Sequence, residues 1–133
     1  MSEDAAAALL LYVEDEVLIQ DLLVSALTEA GYEVLAVSTG AEGIEALAGR
    51  SGELRGLITD INLGSGVDGW EVARHARELI NGLPVVYVSG ASHQEWSSKG
   101  VPESVMIAKP FVPVQIVVAM SALLNRAGHH EGS

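Results

Sequence analysis

Glu14, Asp15, Asp60, Ser89 and Lys109 are the residues whose types and settings could do chemistry together. Each stands at the downstream end of a short apolar run. Three carboxylates brought together repel, since unit charges roughly 4 Å apart cost about 4 kcal/mol at an effective dielectric near 20. Something positive must compensate. One candidate is Lys109, one of two lysines in the chain, set in the otherwise apolar stretch 105–114. The other is a hard divalent cation, because oxygen donors without His or Cys suit Mg²⁺. A carboxylate beside Mg²⁺, an ammonium and a hydroxyl form the equipment of phosphoryl transfer. The cation and ammonium hold phosphoryl oxygens, the hydroxyl donates a hydrogen bond, and one carboxylate attacks phosphorus.

Hydrophobic periodicity predicts the elements that must position these groups. A first strand over residues 9–13 stops at Glu14-Asp15-Glu16. Leu18, Leu22 and Ala26, with Ile19, Leu23 and Leu27 beside them, predict a helix with one apolar face, ended by Gly31. Residues 33–37 read as a second strand, Ser38-Thr39-Gly40 as a cap, and Ile44, Leu47 and Ala48 as marks of a second helix. A third strand over 56–61 enters the turn-rich stretch 62–69, and a third helix runs over about 70–79 to a stop at Asn81-Gly82. Residues 84–88 form a strand too uniformly apolar to have a wet face. A short helical stretch over 93–99 carries Trp96, a fifth strand covers 105–108, and a strongly apolar helix covers 114–124. The tail 126–133 is polar and expected to fray.

This alternation predicts an α/β domain of five βα units: a doubly wound, five-stranded parallel sheet with right-handed crossovers. It occupies residues 1–133 as one domain, with its core over about 9–125. In open sheets of this kind ligands bind beyond the carboxyl ends of the strands, where the reactive residues fall.

The chain has 133 residues, with 7 Lys and Arg against 18 Asp and Glu for a net charge of −11. That balance argues against nucleic acid or an anionic membrane as the main partner, because phosphate neutralisation needs clustered basic residues. Hydrophobic residues make up 49%, enough for a core, and no cysteine is present to build a disulfide, a thiolate metal site or a nucleophile. No apolar run approaches the roughly 20 residues of a membrane span. The start Met-Ser-Glu-Asp is acidic where a signal peptide is basic, so the expected location is the cytoplasm.

Val13-Glu14-Asp15-Glu16, the strand-end Asp60, Val88-Ser89-Gly90 and Lys109-Pro110-Phe111 together resemble a response-regulator receiver domain over about residues 9–125. The resemblance implies a flavodoxin-like fold with strand order 2-1-3-4-5. It implies Asp60 as phosphoacceptor, Asp15 as a direct Mg²⁺ ligand and Glu14 as a holder of Mg²⁺ through water. Asp60 would add a further ligand oxygen and Asn62 a backbone carbonyl, while Ser89 and Lys109 would contact the phosphoryl oxygens. A cis bond before Pro110 is implied as well.

The implied activity is that of a phosphoacceptor switch rather than an enzyme. A phosphohistidine on a sensor histidine kinase or histidine phosphotransfer protein donates to Asp60, and the acyl phosphate later hydrolyses. The signal leaves by protein contact, through the face of the fourth helix, fifth strand and fifth helix, to a target the sequence does not name. The expected form is a free-standing receiver, monomeric or weakly dimeric. Two rivals are a phosphorylation-independent binding module of the same fold and a receiver segment of a hybrid histidine kinase or a longer regulator.

Met106 stands three positions before Lys109, where receivers often carry an aromatic, so the usual aromatic reporter of phosphorylation is missing. Gly90 and Ala91 are small and leave the site open to water or a partner. The stretch 64–69 matches GxGxxG, but Asp60 and Asp68 would repel a pyrophosphate and no acid lies about twenty residues on for a ribose. His75 and His93 read as surface residues, and His129-His130 has no ligand-spaced partner. Trp70 reads as packing, while Trp96 lies near the expected output face. The last helix is more apolar than one buried face requires, so part of it is expected to form an interface.

Overall fold

The computed structural model describes residues 7–64, 66–90 and 95–131. The acidic start, Ser65, Ala91 and His93 lie outside the described residues, as do the side chains of His129 and His130. Five strands are β1 (Leu9–Val13), β2 (Glu33–Val37), β3 (Leu54–Asp60), β4 (Val85–Ser89) and β5 (Val105–Ala108). The helices between and after them are α1 (Val17–Glu29), α2 (Gly40–Arg50), α3 (Gly69–Leu79), α4 (Trp96–Lys99) and α5 (Pro113–Glu131).

All strand pairs are parallel, in the order β2-β1-β3-β4-β5. This is the flavodoxin-like arrangement. Strand side chains alternate faces, and here both faces are buried. Leu11, Val13, Leu57, Val85 and Tyr87 pack with Leu47 of α2 and with Trp70, Val72, Ala73 and Ala76 of α3. Leu10, Tyr12, Ile58, Val86 and Val88 pack with Leu23 and Leu27 of α1 and with Ile116, Met120 and Leu123 of α5. A strand buried on both sides gains nothing from polar alternation, which is why its sequence is continuously apolar.

Local chemistry sets the helix ends. Thr39 caps α2 by accepting from Glu42 N–H at 3.1 Å, while the Glu42 carboxylate accepts from Ser38 N–H at 2.9 Å. Asp68 caps α3 by accepting from Glu71 N–H at 3.0 Å. Gly31, at φ 101°, follows α1 in the left-handed conformation that glycine adopts without steric cost. Helix α4 is tied down by side chains: Trp96 Nε1 donates to Ser104 Oγ at 2.9 Å, and that hydroxyl donates to Val101 O at 2.7 Å. The buried Tyr87 hydroxyl accepts from Val101 N–H at 3.0 Å, and its ring packs on Trp70 with centroids 4.8 Å apart.

The structure differs from the sequence reading in two helices. On α1 the buried residues are Leu23 and Leu27, while Leu18 is 84% and Leu22 57% exposed. Two adjacent leucine rows are equally apolar, and the sheet can cover only one. Helix α5 continues past Leu124 to Glu131, because extending a formed helix costs little even where the sequence turns polar. Its inward residues are Ile116, Met120 and Leu123, whereas Val114 and Val118 are exposed, so the excess apolar character does lie on the surface.

Candidate functional site

The carboxyl ends of β1, β3, β4 and β5 meet at one edge of the sheet. Glu14 directly follows β1, Asp60 ends β3, Ser89 ends β4, and Lys109 directly follows β5. Lys109 N–H donates to Ser89 O at 2.9 Å, carrying the β4–β5 pairing up to the site. The Lys109–Pro110 peptide bond is cis. Helix α3 presses on the end of β3: Gly69 N–H donates to Ile61 O at 2.9 Å, and a Cβ at Gly69 would overlap the Asp60 carbonyl oxygen.

Lys109 is the positive group the acids require. Its Nζ lies 2.9 Å from Asp60 Oδ2, 3.7 Å from Glu16 Oε1 and 3.9 Å from Glu14 Oε1. Asp60 Oδ1 accepts from Asn62 N–H at 3.3 Å. Glu14 is fully covered, and its Oε2 accepts from Glu16 N–H at 3.1 Å. Burial pushes the Glu14 carboxyl up to about 7 with help from the Asp60 charge; the Glu16 N–H and Lys109 oppose the shift. Burial works against the Lys109 ammonium, but the hydrogen bond and charge of Asp60, with Glu14 and Glu16, outweigh it and raise its pKa. Burial, followed by Glu14, also raises the Tyr12 phenol.

Carboxylate oxygens of Glu14, Asp15 and Asp60 all lie within 4.8 Å of one another. An all-oxygen set of that span fits a hard divalent cation such as Mg²⁺. Asp15 is exposed while Glu14 and Asp60 are buried, so the cluster opens to solvent on the Asp15 side. Asn62 is exposed, Gly90 is exposed, and Ser89 is fully buried at the site's edge. The strand-end residues named from the sequence are therefore brought together.

Gln20 and Tyr12 carry no mark in the sequence, and Glu16 stands there only as the third acid of the strand-end triplet. Glu16 shares Lys109. Gln20 donates to the carbonyls of Glu14 at 3.0 Å and Val37 at 3.1 Å, and Tyr12 donates to Glu14 Oε1 at 3.4 Å. Met106 lies half-buried opposite Tyr87 on the α2–α3 side of the sheet.

A doubly wound sheet with clustered acids and one lysine at its strand ends defines a flavodoxin-like protein with a cation-ready acidic site. Its family is specific: residues 10–121 match the response regulator receiver domain, and the chain belongs to that family. A response regulator receiver protein from Sinorhizobium medicae WSM419 is 44% identical with a TM-score of 0.86, over 90% of this chain and 95% of that one. The transcriptional regulatory protein CusR of Escherichia coli K12 is 30% identical over 119 residues, covering 88% of this chain and 51% of CusR. An uncharacterized transcriptional regulatory protein of Bacillus subtilis, YbdJ, is 30% identical over 126 residues, 93% of this chain and 52% of the relative. The chain thus spans about half the length of the curated relatives it matches. The receiver domain of a sensor histidine kinase from Pseudomonas aeruginosa PAO1 shares the fold at 19% identity and a TM-score of 0.76, covering 90% of this chain and 99% of that one; its structure holds a magnesium ion in the active-site cleft.

Proposed function

We propose that this receiver accepts a phosphoryl group on Asp60 from a phosphohistidine of a sensor histidine kinase or phosphotransfer protein, in a Mg²⁺-dependent reaction. The observation that carries the reading is the 2.9 Å contact between Lys109 Nζ and Asp60 Oδ2, inside a cluster that also gathers Glu14 and Asp15. Asp15 and Asp60 would hold Mg²⁺ directly with the Asn62 carbonyl, and Glu14 would act through water. The ion supplies positive charge where phosphoryl oxygens gather.

The chain's own residues do the rest. An Asp60 carboxylate oxygen attacks phosphorus, the donor's N–P bond breaks, and the electron pair stays on the imidazole nitrogen. Lys109 and Ser89 hold phosphoryl oxygens in line for that displacement. Water later attacks the acyl phosphate, releasing inorganic phosphate and restoring the Asp60 carboxylate. Consumed and regenerated in this way, the site works as a switch rather than as an enzyme turning over an external substrate. Its signal leaves by protein contact through the α4–β5–α5 face, in the cytoplasm. No described helix is long and apolar enough to cross a membrane.

Incubation with Mg²⁺ and acetyl phosphate, followed by intact mass, tests this reading. The wild-type protein should gain one phosphoryl group and Asp60→Asn none. No gain in the wild type, or an equal gain in the variant, would leave a binding module of the same fold instead.

A further inference from the structure

Tyr12 stands in an apolar strand where Leu, Val or Ile would fill the core without a polar atom to satisfy. It is 1% exposed and belongs to the buried cluster that also holds Ile58, Leu23, Leu27 and Met120. Burying a phenol hydroxyl without a partner is costly. Here the hydroxyl reaches along the strand to Glu14 Oε1 at 3.4 Å. Glu14 lies two residues beyond Tyr12, just past the end of β1, so the extended chain brings the two side chains to the same side.

Glu14 is held at every polar atom. Its N–H donates to Val37 O at 3.0 Å, and its carbonyl accepts from Gln20 Nε2 at 3.0 Å. The main chain is therefore fixed without Tyr12. Of the carboxylate oxygens, Oε2 accepts from Glu16 N–H, while Oε1 has Lys109 at 3.9 Å and the Tyr12 hydroxyl. Lys109 is shared with Asp60 and Glu16. Among the described residues, Tyr12 is the Oε1 neighbour committed to Glu14 alone.

We propose that Tyr12 is a positioning residue: its hydroxyl fixes the rotamer of the buried Glu14 carboxylate and so sets the affinity of the acidic cluster for Mg²⁺. This rests on the reading of Glu14 as a group that helps hold the cation. Hydrogen bonds made directly to a metal's ligands commonly change affinity by about 10–100-fold, and Glu14 acts one water further out. A bond as long as 3.4 Å belongs at the low end.

The test is Tyr12→Phe, which keeps the ring, beside Tyr87→Phe, which removes a buried hydroxyl bonded to Val101 N–H. Calorimetric titration with Mg²⁺ should show about tenfold weaker binding in Tyr12→Phe and wild-type binding in Tyr87→Phe. The Mg²⁺ concentration giving half-maximal phosphorylation should rise in step, with the rate at saturating Mg²⁺ unchanged. In the wild type itself, Mg²⁺ should produce a tyrosine ultraviolet difference band that Tyr12→Phe lacks.

Wild-type Mg²⁺ affinity in Tyr12→Phe, an equal loss in Tyr87→Phe, or no difference band in the wild type overturns the inference while leaving Asp60 phosphorylation intact. A wild-type protein that takes up no Mg²⁺ overturns the functional reading as well.

Discussion

Asp15→Asn should reverse its effect on stability according to whether Mg²⁺ is present. Lys109 lies within ion-pair distance of Glu14, Glu16 and Asp60, whereas Asp15 is exposed and makes no ion pair among the described residues. Its carboxylate is nonetheless within 4.8 Å of those of Glu14 and Asp60, so without a divalent cation it contributes repulsion. At that distance a water-like dielectric gives about 1 kcal/mol per like-charged pair. Salt reduces this further, and exposed pairs typically measure about 0.2–1 kcal/mol.

With Glu14 partly protonated near neutrality, the Asp60 pair dominates. Asp15→Asn should then stabilise the cation-free protein by about 0.2–1 kcal/mol, or roughly 1–5 °C in Tm for a chain of this size. Mg²⁺ at about 100 times its Kd adds roughly 2.7 kcal/mol to a protein that binds it only when folded. If Asp15 is a ligand, as proposed, the variant should lose most of that gain. Thermal unfolding of both proteins in EDTA and in Mg²⁺, at matched ionic strength, should show the order of Tm invert. Asp21→Asn, an exposed acid further along α1, is the control and should show no inversion. The same order under both conditions, or a Mg²⁺ gain in Asp15→Asn equal to that of the wild type, would refute the reasoning.

Glu14 makes cation-free stability depend on pH in a stated direction. Its folded pKa near 7 exceeds the usual 4.5, so the folded protein holds an extra proton between those values and stability falls as pH rises through that window. Guanidinium unfolding in EDTA at pH 5, 6, 7 and 8 should show this slope in the wild type and a flatter one in Glu14→Gln; parallel slopes would contradict it. Gly69→Ala should destabilise by about 1–3 kcal/mol, because the new methyl overlaps the Asp60 carbonyl and comes within 2.7 Å of Ile61 Cα. Phosphorylation should slow in the same variant as the end of β3 shifts, and a variant with wild-type Tm and rate would show that the backbone yields freely.

Much of the fold was legible because a parallel sheet covered on both sides leaves a coarse trace: apolar runs, each followed by a polar or charged group. Applying the strand-end rule to those runs leads to Glu14, Asp15, Asp60, Ser89 and Lys109 without any knowledge of contacts. The supporting residues were not legible for a physical reason. Tyr12 looks like core because its ring is core, and only its hydroxyl reaches the site. Gln20 is one polar residue on a helix, and which carbonyls it meets depends on how α1 docks. Glu16 sits in an acidic triplet of which only Glu14 is buried, and nothing in three consecutive acids says which of the exposed pair reaches the lysine. The outward leucines of α1 escaped for the opposite reason, since periodicity reports that a row is apolar and not whether anything covers it.

The exposed rim of the site also has a consequence in time. Asp60 is 3% exposed, and a donor approaching it from solvent passes Asp15 and Glu16 on a molecule of net charge −11. For a small anionic donor that approach is uphill, so encounters should be rarer at low ionic strength and more frequent as salt shortens the reach of the field. A partner that brings its own favourable contacts does not depend on that unaided approach. On the proposed function, the rim would sort donors by how fast they arrive, before any difference in chemistry at phosphorus is felt.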